Sequence, residues 1–237
     1  MWFFKKKISI RESGVLNGLT DWHSHILPGV DDGVKTMDEA LEILSAFDEL
    51  GVRKVWLTPH IMEDYPNTPA NLRLRFKELS EAWKGNVELA LAAENMLDTL
   101  FEERLEANDL LPIGEEGNHL LIETSYYTPP YGMDDMIEAI FSKGYFPILA
   151  HPERYRYMDE KEYKKLHERG VKMQLNYLSL VGGYGEQAKK KAEWLLGKGW
   201  IAYTGSDIHR GSVIKLIGES IGDSKRINML GNVIRNK

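Results

Sequence analysis

The sequence contains no cysteine. This absence excludes disulfide bonds, and it excludes thiolate sulfur both as a metal ligand and as a catalytic nucleophile. Any metal ion held by this chain must therefore be bound through nitrogen and oxygen atoms. Only seven histidines occur among the 237 residues, so the places where they stand are informative.

The sequence also lacks an excess of positive charge and any long apolar run. The net charge of −6 argues against general binding to nucleic acid, but it does not argue against a local basic pocket. No apolar stretch has the length needed to cross a bilayer. The first ten residues, MWFFKKKISI, place aromatic residues before the lysines, which is the wrong order for a secretory signal. We therefore expect a cytoplasmic protein without a transmembrane segment.

The composition is otherwise that of an ordinary globular protein, with 43% hydrophobic and 28% charged residues, so a sizeable core is available. The length suits one large α/β domain. We expect a single domain over residues 19–237 and an N-terminal extension over residues 1–18. Within it, the segment MWFFKKKISI is interpreted as a loose tail or docking arm that the chemistry does not need, with weak contact to a membrane surface as the alternative.

Apolar runs typical of strands alternate with segments of helical periodicity. The predicted strands are residues 19–25, 53–60, 87–95, 119–126, 146–152, 171–178 and 200–207. The predicted helices include residues 36–51, 71–83, 133–144, 160–170 and 185–199. This alternation indicates βαβ units and a parallel sheet, either open and doubly wound or closed into a barrel. No GxGxxG motif follows the first strand, so a dinucleotide-binding fold loses support.

Side chains able to bind metal stand near the carboxyl ends of six of the seven predicted strands, where a barrel places its chemistry. The first strand ends with Asp21, His23 and His25, and the last is followed by Asp207 and His209. Because side chains alternate along a strand, His23 and His25 point in the same direction, and so do Asp207 and His209. The four remaining strand ends each contribute one residue, namely His60, Glu94, Glu123 and His151.

Each of these residues alone has an ordinary interpretation, because a single histidine at a strand end is usually hydrogen-bonded and a single glutamate usually ion-paired. Together they predict a metal site, since imidazoles with carboxylates suit divalent ions such as Mn, Fe or Zn. The number of ligands exceeds what one ion accepts. We therefore expect two or three ions, with Glu94 able to bridge them. His119 and His167 fall elsewhere and are interpreted as structural or surface residues.

The motifs DWHSH, TPH, AAEN, IETSY, AHPER and SDIH resemble those of the PHP superfamily, named for polymerase and histidinol phosphatase. The segments HSHILPGVDDG and HPERY are most similar to the bacterial metal-dependent protein-tyrosine phosphatases of capsule and exopolysaccharide gene clusters. The resemblance extends from about Leu19 to His209. It implies a distorted (β/α)7 TIM-like barrel with three metal ions, often manganese or iron.

The resemblance also implies roles for individual residues. The first ion would be held by His23, His25, Glu94 and Asp207, the second by Glu94, Glu123 and His151, and the third by Asp32, His60 and His209. Asp21 would support a ligand without binding an ion, and Asp31 is the less favoured member of its pair.

Two arginines are candidates for binding the substrate phosphate. Arg154 of the HPER segment matches a phosphate-binding arginine of the family. A second family arginine usually lies some residues beyond the last DxH motif, whereas here Arg210 follows His209 immediately, so its role stays open. The implied reaction is hydrolysis of phosphotyrosine by a metal-activated water. The implied partner is the phosphorylated tail of a bacterial tyrosine kinase that controls polysaccharide synthesis.

Three alternatives remain open from the residues. The first is a phosphomonoesterase acting on a small ester such as histidinol phosphate or a sugar phosphate. The second is a nuclease or polymerase-associated module, against which the acidic balance argues. The third is a non-catalytic binding protein, against which the completeness of the ligand set argues. Tyr65 and the aromatic residues of 126–131 are interpreted either as loop packing or as neighbours of a substrate phenol ring.

Overall fold

The computed structural model describes residues 7–219, 221–223, 227 and 231. Its strands are β1 (Lys7–Ser9), β2 (Thr20–Asp21), β3 (Lys54–Leu57), β4 (His60–Ile61), β5 (Glu88–Leu91), β6 (Glu94–Met96), β7 (His119–Glu123), β8 (Phe146–Ala150), β9 (Lys172–Asn176), β10 (Tyr203–Gly205) and β11 (Ile221–Asp223). Its α-helices are α1 (Ile10–Ser13), α2 (Met37–Glu49), α3 (Pro69–Ala82), α4 (Thr99–Ala107), α5 (Met133–Ser142), α6 (Glu160–Glu168), α7 (Gly185–Lys198) and α8 (Gly211–Glu219). None of the helices described here is long and apolar enough to cross a membrane.

Parallel strands form the centre of the fold. One sheet has the order β2-β3-β5 and another the order β10-β9-β8-β7-β6-β4. The strand β4 continues β3, and β6 continues β5, each after a short interruption. If each of these pairs is counted as one strand position, the two sheets together have seven neighbouring strand positions. All seven predicted strand segments therefore contain strands of the observed sheets. The predicted α/β class with parallel strands is confirmed.

Backbone hydrogen bonds connect the last strand position to the first. The N–H of Trp22 donates to the carbonyl of Thr204 at 3.1 Å. The N–H of Asp207 donates to the carbonyl of His23 at 2.8 Å, and a parallel bridge joins Ser24 to Ile208. The order of strands thus returns to its start, as in a distorted seven-stranded barrel.

The helices pack apolar faces against the outside of the strands. In α2, buried Ala40, Ile43, Leu44 and Phe47 follow the three-and-four spacing of an amphipathic helix. The helix α3 begins before the predicted residue 71, because Thr68 accepts a cap hydrogen bond and a proline occupies the first turn. The helix α4 was not among the predicted helices.

The inside of the barrel is filled by a small apolar cluster that includes Trp56, Ala92, Leu121 and Ile148. Side chains two residues apart on a strand face the same way. Glu123 therefore lies on the same side of β7 as Leu121, one layer nearer the carboxyl end. Apolar side chains therefore fill the barrel interior, and polar side chains lie next to them, nearer the carboxyl ends of the strands.

The expectation of a loose tail over MWFFKKKISI is wrong for its last four residues, Lys7 to Ile10. The strand β1 pairs antiparallel with β11, and Ser9 and Glu12 form a reciprocal capping box at the start of α1. Ile10 and Leu16 are only 1% and 2% exposed and belong to the main core. The domain boundary at residue 18 stays a prediction. Residues 1–6, with most of the aromatic and lysine segment, lie outside the described residues.

Candidate metal centre

The histidines that follow β2, His23 and His25, are completely buried, and each is oriented by a hydrogen-bond partner behind its ring. The Nδ1 atom of His23 lies 2.8 Å from Oε1 of Gln174, and Nδ1 of His25 lies 2.8 Å from Oδ2 of Asp31. Because both partners are acceptors, each neutral ring carries its proton on Nδ1 and presents the lone pair of Nε2. The two Nε2 atoms are 3.1 Å apart, so they are directed at nearly the same place.

Glu94 stands at the centre of the cluster. Its Oε2 atom lies 3.0 Å from Nε2 of His23 and 3.2 Å from Nε2 of His25. The same oxygen lies 3.2 Å from Nδ1 of His60. Its Oε1 atom lies 2.9 Å from Nε2 of His151. One buried carboxylate therefore faces four imidazoles, the arrangement expected of a bridging group.

Asp207 and His209, which follow the last strand position, approach the same imidazoles. The Oδ1 atom of Asp207 is 3.6 Å from Nε2 of His23 and 3.5 Å from Nε2 of His25. The ring of His209 stacks on that of His25 with centroids 4.0 Å apart. Asp32 approaches from the more open side, with Oδ1 3.6 Å from Nε2 of His209.

The structure brings all nine predicted ligands into one cluster. The ligands form four overlapping groups, and within each group the ligand atoms lie within 4.8 Å of one another. The groups are His25-Asp32-His60-His209, His23-His25-Asp207, His23-Glu94-His151 and His60-Glu94-Glu123. The grouping differs in part from the predicted one, because His25 joins the third predicted group and His23 accompanies His151. Since the groups share members, the cluster suits adjacent ions better than one isolated ion.

Several buried atoms of the cluster have no hydrogen-bond partner among the described residues, including Nδ1 of His60, Oε2 of Glu94 and Oε1 of Glu123. Nδ1 of His60 lies only 2.9 Å from Oε1 of Glu123, yet neither atom has the geometry of a hydrogen bond. Buried polar atoms without partners are costly. Cations would satisfy them, and nitrogen with carboxylate donors suits first-row divalent metals. The residues therefore fit a metal centre.

Without metal, the cluster retains protons. Burial lowers the pKa of His23, but the carboxylates of Glu94 and Asp207 outweigh burial and raise it to about 9. Burial likewise lowers the pKa of His25, and Asp31 and Glu94 reverse this effect and raise it. Burial would raise the pKa of Glu94, but the surrounding histidines hold it well below its usual range. Metal ions would replace these protons as the compensating positive charge.

Asp21 and Asp31 support the cluster without belonging to its four groups. The Oδ1 atom of Asp21 accepts from the N–H of Ser206 at 2.8 Å and from that of His23 at 3.3 Å. It thus connects two ligand-bearing segments, and its supporting role stays a prediction. Asp31 also accepts from the N–H of His60 at 3.0 Å. Asp31 therefore contacts the ring of His25 and the backbone of His60, and it can orient both residues.

Sequence reasoning missed Gln174 and Asn176 of the sixth strand position. Gln174 contacts the ring of His23, and Asn176 donates from Nδ2 to Oδ2 of Asp207 at 2.7 Å. Both are completely buried. Two amides at alternate positions of a strand are a detectable signal, since buried polar side chains need partners.

Arg154 lies at the edge of the cluster, on a single 3-10 turn over Pro152–Arg154. Its Nη1 atom donates to Oδ2 of Asp207 at 2.7 Å. Its guanidinium stands between the rings of Tyr126 and Tyr184, at 4.3 and 4.5 Å. Burial lowers the pKa of Arg154, and Asp207 outweighs burial and raises it.

The other predicted residues are placed as follows. Arg210 is exposed and directly precedes α8. Tyr65 stacks near His60 with ring centroids 6.1 Å apart. His119 lies at the amino end of β7 near Phe146. His167 stacks on Trp200, and neither His119 nor His167 belongs to the four groups.

The sequence profile of the family described as "Capsular polysaccharide synthesis, CpsB/CapC" matches residues 19–214. The chain belongs to the CpsB/CapC family. Two curated relatives are the tyrosine-protein phosphatases YwqE of Bacillus subtilis and CpsB of Streptococcus pneumoniae, each 30% identical to this chain. The alignments cover 81% of this chain and 77% and 83% of the respective relatives.

Solved structures share the fold. A structure from a study of YwqE from Bacillus subtilis and CpsB from Streptococcus pneumoniae, described as unique metal-dependent tyrosine phosphatases, superposes with a TM-score of 0.79 at 24% identity and 92% coverage of both chains. The lactonase Lmo2620 of Listeria monocytogenes gives a TM-score of 0.53 at 15% identity, covering 87% of this chain and 83% of the lactonase. The CpsB/CapC fold of this chain thus agrees with the expected PHP-type barrel.

Proposed function

We propose that this CpsB/CapC chain is a metal-dependent protein-tyrosine phosphatase. The observation that carries the proposal is the cluster of nine potential ligands with Arg154 bound at its edge. The curated relatives named tyrosine-protein phosphatases support the same reaction. The absence of cysteine excludes a cysteinyl-phosphate intermediate, so the attacking group must be something other than a protein thiolate.

The proposed ligands are those predicted from the sequence, namely His23, His25, Asp32, His60, Glu94, Glu123, His151, Asp207 and His209. When bound, two or three divalent ions would acidify a water molecule to a pKa near 7 and neutralise phosphate charge. Manganese or iron is the proposed metal, with zinc as the third candidate, because imidazole and carboxylate suit all three.

Binding of the substrate phosphate and of its phenol ring is assigned to side chains near the proposed metal centre. Arg154 presents a planar guanidinium that can hold phosphate oxygens by two hydrogen bonds. Tyr126 and Tyr184 contact this group, with ring centres 4.3 and 4.5 Å from the guanidinium carbon, and help to keep it oriented. Tyr65 and Tyr126 stand beside His60 and His151, where they can contact the phenol ring of the substrate. Arg210 stays a second candidate for contacting phosphate.

The proposed physiological substrate is the phosphorylated tail of a bacterial tyrosine kinase involved in capsule or exopolysaccharide synthesis. The family description, which concerns capsular polysaccharide synthesis, supports this choice. The predicted cytoplasmic location stays a prediction.

The test is a substrate panel with the purified protein after metal removal and reloading. Phosphotyrosine peptides, histidinol phosphate and a sugar phosphate are compared in the presence of Mn, Fe, Zn or chelator. We expect the highest kcat/KM for phosphotyrosine peptides and no turnover in chelator. A clear preference for histidinol phosphate would assign the chain to small phosphomonoesters, and absence of turnover with every metal would favour a binding role.

A further inference from the structure

A cavity of about 540 Å³ opens beside Arg154, and the metal cluster does not use it. Its wall contains Tyr126 and Tyr184, the two rings that enclose the Arg154 guanidinium. The hydroxyl of Tyr184 lies 3.4 Å from Oδ2 of Asp207. The cavity therefore adjoins the edge of the candidate metal centre. A substrate whose phosphate is held by Arg154 would have neighbouring residues in or near this cavity.

In the part of the chain that the structure describes, four basic side chains line this cavity, and two of them already have their charge engaged. Arg154 is paired with Asp207. The ammonium group of Lys191 donates to the carbonyls of Tyr155 and Met158, the latter at 2.9 Å. Lys191 thus fastens the loop that follows the 3-10 turn and does not face a ligand freely.

The other two basic side chains, Arg156 and Lys190, are exposed. Neither forms an ion pair with a carboxylate of residues 7–219. The guanidinium of Arg156 lies 5.0 Å from the ring centre of Tyr127, and Tyr127 is itself 64% exposed. The cavity thus offers two available cations next to an exposed aromatic surface.

Among the described residues, Glu153 is the only acidic one that lines the cavity, and its carboxylate is directed inward. It is 1% exposed, and its Oε1 atom accepts from the hydroxyl of Ser179 at 2.7 Å and from the N–H of Asn176 at 3.1 Å. Glu153 therefore does not neutralise Arg156 or Lys190 at the cavity mouth. The cavity is a locally basic place on a chain whose net charge is −6.

We infer that this cavity binds a carboxylate side chain of the substrate peptide, next to the phosphotyrosine, through Arg156 and Lys190. The inference rests on the proposed function and adds a substrate preference to it. An acidic peptide is repelled by the overall charge of the protein, so selective binding needs local cations close to the reacting group. Tyr127 supplies an apolar surface for the peptide backbone or an aromatic neighbour.

The test compares two phosphotyrosine peptides of equal length that carry either Glu or Gln on both sides of the phosphotyrosine. For each protein, kcat/KM is divided by the value of the same protein for p-nitrophenyl phosphate, which has no flanking residues. We expect the wild type to prefer the Glu peptide by on the order of tenfold, as two exposed charge pairs allow. In Arg156→Gln/Lys190→Gln the preference should fall below about twofold. In the wild type it should weaken at high salt.

The matched control is Arg53→Gln/Lys172→Gln. It removes the same charge from two exposed side chains at the amino ends of the strands, opposite the cluster, and should keep the preference. Dissociation constants for both peptides with a non-hydrolysable phosphonate are measured in parallel. Turnover without a preference, or a preference retained in Arg156→Gln/Lys190→Gln, would overturn the inference. Preferential binding of the Glu peptide without any turnover would overturn the proposed function and leave the inference standing.

Discussion

The carboxylate of Asp207 faces Arg154 with one oxygen and the imidazoles of His23 and His25 with the other. Its Oδ2 atom accepts from Nη1 of Arg154 at 2.7 Å, and its Oδ1 atom lies 3.5 to 3.6 Å from the two Nε2 atoms. The side chain of Asp207 therefore fixes the position of the proposed phosphate-binding group, Arg154, relative to the proposed metal centre.

Arg154→Ala should lower kcat/KM for phosphotyrosine peptides by about a hundredfold or more. Contacts that meet charge building on the transferred group usually contribute a few kcal/mol in the transition state, whereas an exposed ion pair contributes about 1 kcal/mol at most. Arg154 is only 22% exposed, which favours the larger effect. Arg154→Lys should recover part of the loss, because lysine keeps the charge but not the planar fork.

Steady-state kinetics, metal content and thermal melting of both Arg154 variants provide the check. We expect metal content near that of the wild type, since Asn176 still donates to Asp207. Normal turnover of phosphotyrosine by the Ala variant would remove Arg154 from the site, and Arg210 would be the next arginine to substitute.

Asp207→Asn should reduce bound metal and lower activity by at least the roughly 10- to 100-fold seen for residues that merely orient ligands. The amide keeps the shape of the side chain but loses the anionic oxygen that faces His23 and His25. Asp38→Asn, an exposed position in the first turn of α2, is the matched control and should behave as wild type. Elemental analysis and activity with and without chelator decide the outcome; full activity after verified metal removal would contradict a metal-assembled site.

The metal-free protein should lose stability as the pH rises from about 6.5 toward 9. The pKa of His23 is about 9 in the folded protein and about 6.5 in an unfolded chain, so its protonation stabilises the fold fully below pH 6.5. This contribution is lost as the pH passes through 9. The lowered pKa of Glu94 adds no slope here, because the carboxylate is ionised in both states throughout this window.

Thermal melting in chelator at several pH values measures this loss. The metal-loaded protein is the control, and its stability should not fall over the same range, because metal requires the imidazoles to be unprotonated. A melting temperature in chelator that stays level or rises between pH 6.5 and 9 would contradict the charge assignment at His23.

Ile10→Ala should destabilise the fold by about 2 to 5 kcal/mol, the usual range for truncating a buried isoleucine. Ile10 is 1% exposed, although it lies in the segment that the sequence suggested to be a loose tail. Leu74→Ala, at a side chain that is 68% exposed, should change stability by less than about 0.5 kcal/mol. Denaturant melts give both values, and turnover per folded molecule should stay within about threefold, below 1 kcal/mol of barrier. An unchanged free energy of unfolding in Ile10→Ala would show that the segment does not contribute to the core.

The cluster could be predicted from the sequence because its members recur at one place in a repeating pattern. His60, Glu94 and His151 each stand near the carboxyl end of an apolar strand run, and parallel strands bring such ends together. The spatial grouping of the potential ligands was less predictable, since it depends on side-chain directions such as that of His25, whose ring stacks on His209.

The packing of the N-terminal segment could not be predicted in the same way. The strand β1 has only three residues and pairs with β11. Because β11 lies more than two hundred positions further along the chain, no local sequence pattern predicts this contact. Gln174 was missed for a related reason: an amide carries no charge, and its importance comes from its contacts with His23 and with the backbone of His151.

Two of the proposed ligands occupy left-handed backbone conformations, His151 with φ of 32° and Asp207 with φ of 53°. Such conformations are unfavourable for residues other than glycine, although histidine and aspartate tolerate them better than most. A laboratory selection for thermostability alone would therefore tend to place glycine at both positions and lose the ligands. At these two positions, selection for a robust protein and selection for a functional one oppose each other.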